Sequence, residues 1–354
     1  MVETDIKSSP KKLLCEVSFI RPIVIFLLIF LHSFTKIAKG GGQTNDYQLS
    51  IVYQWLCWLI SGFRIETIAL VAGYIFAYQS INLKRSYKFW PFVLKKFKRL
   101  IIPMLVFGLI YYFCFLFNAS VFSVKSFLLD VFSGCGHLWF LPMLFWCFLV
   151  IWIIDHYKLS SWKTLIILAI VSTAPLPATL PFGLARLPHF VFYVYAGYFL
   201  WTKREWLHAN CLKTPIIICL WLAYILLVVV LHSLMSVPST SASVLQKGLI
   251  IMTPQFIGLL MSCCGIIALY LTICKTTTKE GFQPKSWVIV ASDYCYGVYV
   301  YHQFILILLY FKTPLVANCP PLLVPWIGFA ITALVSLLLT KLTLKTKTGK
   351  YLIG

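Results

Sequence analysis

The sequence predicts an all-α integral membrane protein, a bundle of about ten transmembrane helices with both termini on the cytoplasmic side. Two observations carry that prediction. Of 354 residues, 60% are hydrophobic and only 11% charged, with a mean hydropathy of +0.89, against about 45–50% and about 25% in water-soluble domains. The 30 basic residues, set against ten acidic ones, are spread through short connectors, as membrane topology requires. They are not gathered into one arm or face for nucleic acid.

A hydrocarbon core about 30 Å thick needs about 20 apolar residues per helix. Apolar stretches bounded by Lys, Gly, Pro or Asn place spans at 17–36, 60–80, 100–117, 138–154, 164–180, 187–201, 214–232, 249–273, 288–310 and 321–340. Arg21 interrupts the first apolar run and no small-residue cleavage site follows, so it reads as a retained span rather than a leader. Segment 49–59 is too short to cross alone and reads as an interfacial or tilted extension of the second span. With the N-terminus cytoplasmic, 22 Lys and Arg fall in inner segments and six in outer ones, which fixes N-in and C-in. The domain plan is a cytoplasmic tail over 1–16, one membrane domain over 17–340 and a basic cytoplasmic tail over 341–354. The 12 cysteines show no CxxC spacing and read as small buried hydrophobes.

Ionisable groups inside a membrane are costly, so the few present are functional candidates. Arg21 and His32 are eleven residues apart on the first span, on one face, with a rise of about 16 Å between them. Residue chemistry leaves two readings open: a snorkelling Arg with an interhelical His hydrogen bond, or a working pair. The topology brings His137, His302 and His32 to the outer half. Arg64 and Glu66, two apart on the second span, also lie on the outer side and point in different directions. They form either an interhelical salt bridge or part of a site in which a carboxylate orients an imidazole base. On the inner side, LKKFKRLIIP places Lys95, Lys96, Lys98 and Arg99 where the third span enters the bilayer. Lys96 and Arg99, three apart, are expected on one face, and the patch either meets anionic lipid or binds phosphate. Gly73 is a candidate small-residue helix contact. No GxGxxG, P-loop or HExxH pattern occurs, so no metal site is expected.

Taken in order, these segments resemble acyltransferase family 3, the multi-pass membrane enzymes that O-acylate bacterial surface glycans. The resemblance rests on Arg21 and His32 as the Arg-x(10)-His of the first span, FRIETIALVAGYIF, KKFKRLIIP, HLWFLPMLF, CYGVYVYH and the ending KTKTGKYLIG. It implies a cell (inner) membrane O-acyltransferase. The group transferred is short, with acetyl expected, and passes from cytoplasmic acyl-CoA to a hydroxyl of a glycan or lipid-linked saccharide. By the same resemblance His32 is the base or the transient acyl carrier; Glu66, by its place as the acid in the outer half of a span, is its expected orienter. Arg21, Lys96 and Arg99 hold the donor's phosphates, and Arg64, Trp139, Tyr296 and His302 line the acceptor cavity. The expected partners are acyl-CoA, the saccharide and membrane lipids, without nucleic acid. The chain departs from the family pattern at Lys96, where Arg is common, at Ala72 and Cys295, where Ser is usual, and at Gln303 and Glu66, where Pro is common. The rival expectation is a multi-pass glycan exporter, which ten spans with buried charge would also suit.

Overall fold

A computed structural model describes residues 14–38, 51–85, 88–174, 180–235, 244–279 and 281–354; for 36–38, 121 and 244–251 it describes the backbone alone. Every regular element among the described residues is helical. The first is α1 (Cys15–Ala38), followed by α2 (Ile51–Ser61), α3 (Arg64–Ala77), α4 (Phe89–Lys96), α5 (Ile102–Tyr111) and α6 (Val124–Ser133). Then come α7 (Phe140–His156), α8 (Trp162–Ser172), α9 (Leu187–Cys211), α10 (Thr214–Met235), α11 (Val244–Thr277) and α12 (Ser286–Lys312). The short α13 (Leu315–Asn318), α14 (Val324–Thr343) and α15 (Lys347–Ile353) complete the chain. Among the described residues seven helical runs are long and apolar enough to cross a membrane: 15–35, 51–82, 89–116, 214–235, 252–277, 286–312 and 324–343. With α7 and α8 as shorter apolar helices, the chain is a multi-pass, all-helical membrane protein.

The expected spans map onto these helices with informative differences. Of segment 49–59, residues 51–59 belong to α2 and 49–50 lie outside the described residues; α2 continues through a break at Gly62-Phe63 into α3, so one 32-residue run replaces the second span. The third run starts at Phe89, not near 100, because the basic residues of LKKFKRLIIP are part of its helix. The expected 164–180 span is seen as α8, and its residues 175–179 lie outside the described residues. The segment after 340 finishes α14 and then folds back as α15, burying Ile353 near the ends of α5 and α14.

Two local features position the site. Helices α3 and α9 touch backbone to backbone: a Cβ on Gly73 would lie 1.8 Å from the Val194 carbonyl oxygen, and one on Gly197 would lie 1.9 Å from that of Leu70. Glycine on both sides permits this approach, as small residues do in lipid-embedded helix pairs. The turn before α7 holds Gly134 at φ 85° and Gly136 at φ 61°, which glycine adopts without strain, and it delivers His137 into the core.

Candidate active site

Helices α1 and α12 run side by side in the same direction, joined by two polar contacts. At one end Arg21 Nη1 donates to Ser292 Oγ at 3.5 Å. At the other, His32 Nδ1 lies 3.3 Å from His302 Nε2. On α12 the buried residues Ser292, Cys295, Tyr299 and His302 follow a three-four-three spacing, the seam of an apolar helix face.

The histidine end is a chain of assigned hydrogens. His302 Nδ1 sits 2.6 Å from the Tyr299 carbonyl oxygen. A carbonyl only accepts, so Nδ1 carries the hydrogen and Nε2 keeps its lone pair. The hydrogen between the two imidazoles therefore belongs to His32 Nδ1, which places the lone pair of His32 on Nε2. His302 is wholly buried, with the His137 ring 4.8 Å away at 75°. His137 donates from Nε2 to the Val300 carbonyl at 3.0 Å and accepts at its own carbonyl from the Tyr299 hydroxyl at 2.5 Å. Its neighbours thus lock His302, while His32 is half-buried and reachable.

The other end gathers the basic motif. Pro103 follows Arg99 by four residues and has no N–H to give the Arg99 carbonyl; the Tyr296 hydroxyl supplies that hydrogen bond at 2.9 Å. The chain widens to an i+5 turn over Phe97–Ile101, a feature common at functional sites. Lys96 flanks this wide turn and Arg99 lies within it, and the two meet different surroundings. The Lys96 ammonium lies over the Phe148 ring, 3.2 Å from its centroid, whereas the Arg99 side chain is exposed.

The remaining expected residues fall into two further places. Glu66 Oε1 is 3.6 Å from His189 Nε2, so Glu66 faces α9 instead of orienting His32; His302 holds the position expected of a carboxylate. Arg64 Nη1 donates to the Ser61 carbonyl at 3.3 Å, capping the end of α2, and its Nε is buried with no hydrogen-bond partner, as is Glu66 Oε2. Trp139 takes the Arg186 guanidinium on its ring face at 3.6 Å. Tyr296 belongs to the Arg99 end and not to the histidine end. The structure thus brings together His32, His302 and His137, and separately Arg21, Ser292, Tyr296 and the Arg99 backbone.

Three residues were absent from the sequence expectation: Tyr299, His189 and Arg186. Tyr299 is one turn before His302, the position of its helical hydrogen-bond acceptor. His189, at the start of a span on the same side as Glu66, could have been matched to that lone acid. Nothing in the sequence pairs Arg186 with Trp139, since the contact depends on how the 180–186 loop folds. All twelve cysteines are free thiols. Among the described residues no three His, Cys, Asp or Glu side chains are grouped to hold a metal ion.

A basic end and an imidazole end thus lie on one pair of parallel helices. The chain matches the acyltransferase domain family over residues 16–341, and it belongs to acyltransferase family 3. No curated protein and no solved structure matches it.

Proposed function

We propose that the protein O-acylates a hydroxyl of a glycan or lipid-linked saccharide, taking a short acyl group, acetyl in the first instance, from cytoplasmic acyl-CoA. The observation that carries this reading is the fixed hydrogen on His32 Nδ1. It leaves Nε2 as a base directed away from His302, which is what deprotonating an acceptor hydroxyl needs. In the transfer, Nε2 takes the hydroxyl proton and the acceptor oxygen bonds to the thioester carbonyl carbon. The C–S bond then breaks, and the thiolate of CoA leaves with the proton held by the imidazolium. His302 Nε2 accepts from His32 Nδ1 throughout and so stabilises the imidazolium. Arg21 and the Arg99 guanidinium hold the anionic head of the donor; Lys96 joins them by leaving the Phe148 face. The separation of about 16 Å along α1 matches a donor lying lengthwise between the two ends. Trp139 and Arg64 serve the acceptor.

This reading places the chain in the inner membrane with both termini cytoplasmic and about ten crossings. The parallel course of α1 and α12 supports that count. Helices in the same direction need an odd number of crossings between them, and α12 is the ninth if α7, α8 and α9 also cross.

The test is acyl transfer by the purified protein from labelled acetyl-CoA to a saccharide acceptor. His32→Ala is expected to lower turnover about 10²- to 10⁴-fold, the contribution of general-base catalysis, with expression and melting temperature preserved. Full turnover in that variant overturns the mechanism.

A further inference from the structure

Helix α9 also lines an open-sided cavity of about 530 Å³, bordered by α3, α8 and α11. That size is ordinary for a ligand site, but its shape and chemistry are not those of a saccharide site. On α9 the lining follows Phe192, Ala196, Phe199, Lys203 and Trp206, a four-three-four-three stripe that stays on one face. From Phe192 to Trp206 the helix rises about 21 Å, more than half of a hydrocarbon core about 30 Å thick. The opposite walls are apolar, with Leu70, Leu165 and Ile267 among them.

Charge is confined to one end. Lys203 is exposed, with its ammonium 5.9 Å from the Phe199 ring centroid. The nearby acid in the chain, Glu205, is engaged by Arg204 at 3.3 Å, and Lys203 has no ion pair among the described residues. Trp206, 62% exposed, stands one turn further on, as an interfacial indole does at headgroup level.

We propose that this cavity binds one acyl chain of an anionic phospholipid, with the lipid phosphate at Lys203 and the chain laid along α9 toward Phe192. The long apolar bore selects a hydrocarbon chain and the unpaired ammonium at its mouth selects negative charge. The site shares no residue with the histidine or Arg21 ends, so it stands or falls independently of the acyl-transfer reading.

The experiment uses the full chain in phosphatidylcholine nanodiscs doped with brominated phosphatidylglycerol or brominated phosphatidylcholine. Bromine quenches nearby indoles, and the Trp206 contribution is the difference between the wild type and Trp206→Phe. Brominated phosphatidylglycerol is expected to quench Trp206 at about fivefold lower mole fraction than brominated phosphatidylcholine, the effect of one basic side chain at an anionic headgroup. Lys203→Glu, a surface change, removes that preference. Ala196→Phe fills the bore and removes quenching by both lipids, with folding checked by melting temperature. Equal quenching by the two lipids in the wild type, or a preference that survives Lys203→Glu, overturns the proposal.

Discussion

If His302 fixes the hydrogen on His32, then replacing His302 by Phe must slow transfer without touching the donor's basic end. Phe keeps an aromatic ring in the buried slot beside His137 but offers no acceptor to His32 Nδ1–H. A buried donor left without its acceptor costs about 1–3 kcal/mol. The cost here falls on the tautomer whose Nε2 is basic, and it grows when the ring becomes an imidazolium. At about 1.4 kcal/mol per tenfold, the expected loss in kcat is about 5- to 150-fold, with the KM for acyl-CoA unchanged. His302→Gln places an amide oxygen where Nε2 stood, keeps an acceptor, and is expected to recover most of the rate. The double variant His32→Ala/His302→Phe should be no slower than His32→Ala, because two residues that act as one unit are not additive. The assay is steady-state transfer from labelled acetyl-CoA in detergent, with both substrates varied. Wild-type kcat in His302→Phe refutes the tautomer argument.

Other consequences separate the ends of the site. Glu66→Gln, which alters the pairing with His189 and not the His32 contact, should reduce kcat far less than His302→Phe; an equal loss in the same assay would restore Glu66 as the orienter. Tyr296→Phe removes the donor to the Arg99 carbonyl at about 1 kcal/mol, and should raise the KM for acyl-CoA severalfold while kcat holds. Gly73→Ala drives a methyl against the Val194 carbonyl with backbone on both sides, so destabilisation of about 1–3 kcal/mol or more should appear as a lowered melting temperature in detergent. His208, on the stretch of α9 beyond its apolar span, hydrogen-bonds Tyr270 at 3.0 Å, and burial pushes its imidazole below its ordinary value. A depressed folded value means that the unfolded chain binds the proton first. The stability this group contributes is present above about pH 6.5 and declines as pH falls below it; His208→Gln should flatten that part of the melting profile.

Much of this architecture was legible because bilayers impose a length on apolar runs, and most of the expected spans recur as helices with shifted ends. The convergence of His32, His137 and His302 was legible as well, since span direction and depth follow from counting residues. Rotational detail was not. The i+5 turn over Phe97–Ile101, followed by Pro103, shifts the angular spacing of the basic motif, and periodicity of 3.6 cannot register such a turn. Glu66 was assigned to His32 because it is the acid of the outer half, yet depth alone does not say which neighbour a side chain faces. The α3–α9 contact decides that: Gly73 and Gly197 bring the two backbones together and turn Glu66 toward His189. Tyr296 and His302 belong to one motif in sequence, but six residues of helix rise about 9 Å, enough to send them to opposite ends of the site.

That vertical separation is what makes a parallel α1–α12 pair suited to the chemistry. Both helices climb about 1.5 Å per residue. The eleven residues from Arg21 to His32 and the ten from Ser292 to His302 therefore rise by nearly the same amount, and both contacts can be made at once. An antiparallel pair would bring only one such rung into register and set Arg21 against the outer half of its neighbour. With two rungs, each helix measures the other. The Arg21 guanidinium is held at one end of the pair, about 16 Å along the helix from the imidazole. The His32 imidazole is half-buried, and its Nδ1 hydrogen is assigned by the wholly buried His302. In the proposed transfer, separating charge recognition from proton removal along one helix pair would let a donor with a highly charged head react at a depth that the head itself never enters.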